Sequence, residues 1–346
     1  FFSLFLTQIN FTMKKYAALL LFALFLNGCD DGDLTVDEID FEDIAEGQAC
    51  DATTNALLYK LKPQEALLLQ MPEGSIKNDN STYSYPINSS TYRVVYRAYD
   101  GAITKENICG TIPPSIPKVT EEWLGLDGTI EITSIQKDAP TNKDNPDLGT
   151  RITGYQHTIV FKNITFQKPT GKQTEPKFEF GIYNTTVTPA DLTFRTNPNG
   201  SAYECDDIKR VYNYNLSFYL SIDDIDPKLL VNDVTDDKPR TSLISSTQNK
   251  VFYRTAKAET GSITPAFICA NVQPASPVIE ETWTGVAGKE NESGIIEVTT
   301  TSSPNALGTV YTHTIVLKNV TLQRGNSTFN LGTNFLLGKI DRQENN

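Results

Sequence analysis

A segment of eleven residues occurs twice in this chain, and that repetition limits the architecture more than any other feature. His157-Thr-Ile-Val-Phe-Lys-Asn-Ile-Thr-Phe-Gln167 returns as His313-Thr-Ile-Val-Leu-Lys-Asn-Val-Thr-Leu-Gln323, identical at eight of eleven positions. Upstream, Glu121-Glu122-Trp123-Leu124-Gly125 answers to Glu281-Thr282-Trp283-Thr284-Gly285. Gly101-Ala102-Ile103-Thr104 matches Gly261-Ser262-Ile263-Thr264, and Val95-Tyr96-Arg97 matches Phe252-Tyr253-Arg254. The order is the same in both halves, and both Trp and both His residues fall at equivalent places. The 346 residues therefore read as two copies of a domain-sized unit, roughly 150 residues each, unlike the short units of solenoids.

The cysteines follow the same division. Setting Cys29 aside leaves Cys50 and Cys109 in the first copy, Cys205 and Cys269 in the second. Of the three possible pairings only Cys50–Cys109 with Cys205–Cys269 respects the repeat. Without a CxxC spacing or a nearby His, the pattern predicts structural disulfides rather than a metal site.

Short runs rich in Thr, Tyr, Val, Ile and Phe, separated by Gly, Pro, Asn and Asp, predict strands. They cover Tyr92–Tyr99, Thr129–Ile135, Tyr155–Phe161, Tyr212–Ile222, Lys250–Thr255, Gly294–Thr300 and Tyr311–Leu317. Gln64–Gln70 is the one helix candidate, with a weak counterpart near Asp226–Val231. In the repeated segment Tyr155, His157, Ile159 and Phe161 share one parity, whereas Ile164 and Phe166 have the other. The second copy flips identically, from His313, Ile315 and Leu317 to Val320 and Leu322. A strand cannot change its buried face without an irregularity, so Lys162-Asn163 and Lys318-Asn319 should each form a bulge or tight turn, with Asn at positive φ. The expected fold is all-β: two tandem duplicated antiparallel β-sandwich domains of seven to nine strands, each with one disulfide, over 36–186 and 187–341. The short join Asn184–Ala190 lacks Gly and predicts limited swing.

The N-terminal region gives an address. Met13 is followed by Lys14-Lys15 and the apolar run Tyr16–Leu26, the order of a secretory signal too short to span a bilayer. Translation is expected to begin at Met13, leaving 1–12 as an upstream extension and 13–28 as signal peptide. Leu26-Asn27-Gly28-Cys29 resembles a bacterial lipobox, which implies cleavage before Cys29 and a covalent lipid on it. Residues 29–35 then form an acidic tether, and 30–46 carry nine Asp or Glu with no Lys or Arg. That run is similar to the surface-export signal of Bacteroidota lipoproteins. The resemblance covers about residues 13–33 and implies an outer-membrane, surface-facing protein. The periplasmic-facing leaflet is the alternative.

Candidate sites are few. Thirty basic against 42 acidic residues give a net charge of −12, which argues against a nucleic-acid surface. His157 and His313 lack a nucleophile elbow nearby and read as half-buried structural residues. Glu121 and Trp123 share a strand face, as do Glu281 and Trp283. A carboxylate so placed could act as an acid, or could pair with Arg97 or Arg254 at the sheet rim. The acidic groups Asp206-Asp207, Asp223-Asp224-Ile225-Asp226 and Asp236-Asp237 lack an EF-hand pattern and read as solvated turns, so no metal and no cofactor beyond the lipid is expected. Tyrosines at 83–99 and 212–219 suit core positions more than exposed contact surfaces. The functional expectation is a lipid-anchored, non-enzymatic surface protein that binds a glycan or protein ligand. The alternatives are an accessory subunit of an outer-membrane uptake or secretion complex, and a carboxylate-dependent hydrolase.

Overall fold

The computed structural model describes residues 38–194 and 200–345. The predicted signal peptide, the tether and the lipidation candidate Cys29 lie outside the described residues. The chain divides into two units, Phe1–Asp40 and Phe41–Asn346, and the strands among the described residues belong to the second.

Strands dominate, as the composition of the repeats requires. The first half carries β1 (Gln48–Ala49), β2 (Leu57–Lys62), β3 (Glu65–Gln70), β4 (Thr82–Pro86), β5 (Arg93–Tyr99), β6 (Val119–Pro140), β7 (Thr150–Lys168) and β8 (Gly171–Thr186). The second half carries β9 (Tyr203–Glu204), β10 (Arg210–Tyr214), β11 (Phe218–Asp223), β12 (Arg240–Leu243), β13 (Lys250–Ala256) and β14 (Ile279–Gly285). It continues with β15 (Ile295–Asn305), β16 (Gly308–Lys318), β17 (Thr321–Arg324), β18 (Ser327–Asn330) and β19 (Asn334–Asn345). All the strand ladders are antiparallel.

In the second half a seven-stranded sheet, β18-β17-β14-β13-β11-β10-β9, and a four-stranded sheet, β12-β15-β16-β19, are separate. In the first half three long strands join the two layers into a single hydrogen-bonded sheet. The start of β6 pairs with β5 and with the end of β7, whereas its later part pairs with β4 and the start of β7. This is why the first half has fewer, longer strands than the second.

The change of face sits where the parity demands it. Asn163 and Asn319 have φ of 51° and 49°. The β6–β7 register shifts between Gly125 and Thr129, and β16 ends at Lys318. A left-handed residue re-aims the chain, so Ile159, Phe161, Ile164 and Phe166 all become buried, as do Ile315, Leu317, Val320 and Leu322. One cluster in the second half joins both sheets, with Val211, Leu220, Val251 and Trp283 meeting Ile296, Val298, Ile315 and Leu317.

The other face of the large sheet is also covered. Tyr212, Tyr214 and Tyr219 pack against Ile263 and the short helix Pro265–Ile268, beside the Cys205–Cys269 disulfide. Tyr59, Leu68 and Val95 pack likewise with Ile103 and Ile108 beside Cys50–Cys109. This double coverage corrects the helix expected at Gln64–Gln70, which is strand β3. Ala66, Leu67, Leu68 and Leu69 are buried in succession because both faces of that strand are packed, and a continuous apolar run loses its period. Near Asp226–Val231 there is only a 3-10 turn, Pro227–Leu230, capped by Asp226, whose Oδ1 accepts from Lys228 N. Tyr212–Ile222 is likewise two strands, β10 and β11, turning at Asn215–Ser217.

The halves are bound tightly to each other. Val187, Ala190, Leu192 and Phe194 pack onto the second-half core, which also includes Ile152 and Tyr155 from β7. The Tyr155 hydroxyl donates to Ser327 Oγ at 2.9 Å. Gln136 behaves as an extra strand residue: its Nε2 donates to Thr328 O at 2.8 Å, and its Oε1 accepts from Thr328 N at 3.0 Å. Arg151 lies over the Phe329 ring, 5.3 Å from its centre.

Asn319→Val should lower stability by about 1–3 kcal/mol, because a β-branched residue resists positive φ, whereas Asn319→Gly should cost less, losing only the bond that Nδ2 donates to Glu292 O. Urea denaturation of the two variants checks this. Replacing Cys205 and Cys269 together by Ser should cost about 4 kcal/mol in the chain-entropy model, read as a lower denaturation midpoint.

Candidate functional site

Strand alternation puts Glu281 and Trp283 on one side of β14, and Glu121 and Trp123 on one side of β6. The Trp283 indole Nε1 donates to Glu281 Oε2 at 3.0 Å, and Trp123 Nε1 donates to Glu121 Oε1 at 2.6 Å. A cation covers each indole. Lys168 Nζ is 4.1 Å from the Trp123 ring centre, and the Arg324 guanidinium 4.7 Å from that of Trp283. Arg324 also ion-pairs with Glu281.

The expected pairing with Arg97 or Arg254 is thereby corrected. Arg97 stands opposite Glu122 in the β5–β6 ladder, on the face away from Glu121, and its Nε donates to Glu122 Oε2 at 2.7 Å. Arg254 donates to the Tyr219 hydroxyl at 3.1 Å and lies 4.0 Å from Asp223. Lys168 and Arg324 were the residues missed. Each directly follows the repeated eleven-residue segment, so the signal was one position beyond it.

Beside Trp283 the junction of the two halves opens into a cleft of about 530 Å³. Segment 187–191 lines it, as do Thr255, Ala256, Glu280, Glu281 and Arg324. Beneath them lie the buried rings of Tyr155, Phe218, Tyr253, Trp283 and Phe329. Glu281 and Arg324 keep 35% and 36% of their side-chain surface exposed. The Tyr253 hydroxyl donates to Asp191 O at 3.0 Å, and burial raises its pKa well above that of a free phenol. A second, polar groove of about 600 Å³ runs beside β12 and contains the Glu297–Lys318 pair, 3.1 Å apart.

The histidines are fully buried rather than half-buried. Thr185 Oγ1 donates to Asn78 Oδ1 at 2.7 Å, so it accepts from His157 Nε2 at 2.9 Å. Nδ1 of the neutral ring is then the acceptor for the Ser134 hydroxyl at 2.8 Å. His313 repeats the arrangement: Nε2 donates to Asn232 Oδ1 at 3.2 Å, and Nδ1 accepts from Thr300 Oγ1 at 2.8 Å. Desolvation pushes both pKa values down to about 4. His157 ties β6 to β8, and His313 ties β15 to the segment after the 3-10 turn.

The acidic runs are also accounted for in part. Asp223 receives two bonds from Arg210 at 2.7 Å, and Asp224 pairs with Lys250 at 2.5 Å. Among the described residues no group of three or more His, Cys, Asp or Glu is placed to hold a metal. No helix among them is long and apolar enough to cross a membrane. Tyr96, Tyr99, Tyr212, Tyr214 and Tyr219 are core residues, whereas Tyr83, Tyr85 and Tyr92 are only half-buried, which corrects the core expectation for them. No known protein family, curated protein or solved structure matches the chain.

A histidine held neutral when folded, but protonated when unfolded, contributes stability that is present above pH 6.5 and lost as pH falls toward 4. Stability should therefore decline across that window. His157→Gln with His313→Gln should flatten the decline between pH 7 and 5, where most carboxylates stay ionised. Urea midpoints measured at a series of pH values provide the comparison.

Proposed function

We propose that the chain is a lipid-anchored cell-surface binding protein without catalytic activity, built from two duplicated β-sandwich domains. The cleft between the halves carries this reading. It has apolar walls, a charged rim and a volume suited to a small ligand or a few residues of a larger one. The conserved duties of the repeated polar residues favour binding over hydrolysis. Glu121 and Glu281 already serve the indoles beside them, and both imidazoles are bonded at each nitrogen inside the fold.

Several matched features support duplication beyond the repeated sequence. The disulfides join equivalent positions, and the Asn163 and Asn319 irregularities coincide. A parallel bridge also flanks the last strand of each half, Glu46 with Ile182 and Ser201 with Lys339. The lipid anchor rests on the sequence Leu26-Asn27-Gly28-Cys29 and the acidic residues after it. Two or more acyl chains on Cys29 would hold the protein stably at a membrane.

Metabolic labelling with radioactive palmitate in a Bacteroidota host should mark the intact protein and not its Cys29→Ala variant. Protease added to whole cells should degrade the labelled form. Absence of label overturns the anchor, and protection from protease overturns the surface address.

A further inference from the structure

Resting on the reading of the junction cleft as a ligand site, we propose that its occupant is an amphipathic cation. The matching chemistry is an amine or guanidinium on an aliphatic stem, as on a lysine or arginine side chain. The lining supplies both halves of that description. Val187, Pro189, Ala190 and Ala256 all line the cleft, giving apolar contact for a stem. The ionisable carboxylates are Asp191, Glu280 and Glu281, against Arg324 and, over the Phe329 ring, Arg151. Glu281 and Arg324 neutralise each other and Arg151 acts on Asp191, which leaves the exposed Glu280 as the excess negative charge at the rim.

Competing classes fit less well. A sugar is commonly held by stacking on an open aromatic face. Here Arg324 covers Trp283, Arg151 covers Phe329, and the Phe218 and Tyr253 rings lie 5.6 Å apart against each other. An anionic ligand would have to approach Glu280, while Arg324 is paired with Glu281 and Arg151 is held by the carbonyls of Thr150, Ala190 and Asn330. About 530 Å³ accommodates a side chain and its flanking residues, not a folded surface.

Calorimetry on the intact chain in detergent, at low salt, tests the assignment with four probes: blocked Gly-Lys-Gly, 1,5-diaminopentane, blocked Gly-Glu-Gly and maltotriose. The lysine peptide should bind and the acidic peptide and sugar should not. Diamine binding alongside the peptide would show that a free amine suffices, and its absence would assign the ligand to a peptide. Glu280→Lys should weaken lysine-peptide binding at least about fivefold, and Thr188→Trp, which fills the cleft from an exposed position, should abolish it. Binding of maltotriose or Gly-Glu-Gly that Thr188→Trp removes would overturn the charge assignment while leaving the cleft as a ligand site. Silence from all four probes, or lysine-peptide binding indifferent to Thr188→Trp, would overturn the proposal. Neither result bears on palmitate labelling or surface exposure.

Discussion

A strand that must bury side chains on both sides of a parity change cannot run straight, and the architecture follows from that constraint. The Lys-Asn dipeptides after the repeated HTIV segments place one residue at positive φ. The chain leaves one sheet there and joins the other, carrying its apolar face inward in both. In the first half the crossing strands stay hydrogen-bonded throughout. In the second half, loops such as 286–294 interrupt them and separate the sheets. The core is the same kind of object in each case, because inward direction is preserved rather than strand continuity.

Polar residues inside this frame are used in pairs. Each buried imidazole links a hydroxyl on the preceding strand to a polar side chain beyond it, Ser134 and Thr185 around His157, Thr300 and Asn232 around His313. Each tryptophan gives its indole proton to the glutamate two residues earlier and carries a cation on its face. A buried polar group left without a partner costs more than most contacts contribute, and both nitrogens of each buried imidazole are bonded.

At the junction the two halves supply unlike surfaces. Phe329 on β18 meets Tyr155 and Arg151 of the first half, whereas Gln173, its counterpart in the β7–β8 ladder, is polar and partly exposed. The cleft beside Trp283 thus has walls from both halves and from the segment joining them.

Much of this was written locally. The repeat, the strand-rich composition, the two disulfides and the irregularity at Lys-Asn follow from residue order, since parity and spacing are properties of neighbours along a chain. Strand β3 was not legible, because four consecutive buried residues carry no period once a sheet is covered on both faces. The partner of Glu281 was also hidden. Whether Arg254 or Arg324 reaches it depends on which face of the ladder each occupies, and on a strand some forty residues away. The cleft belongs wholly to tertiary structure, for its lining spans residues 152 to 329 and exists only where one half is fixed against the other.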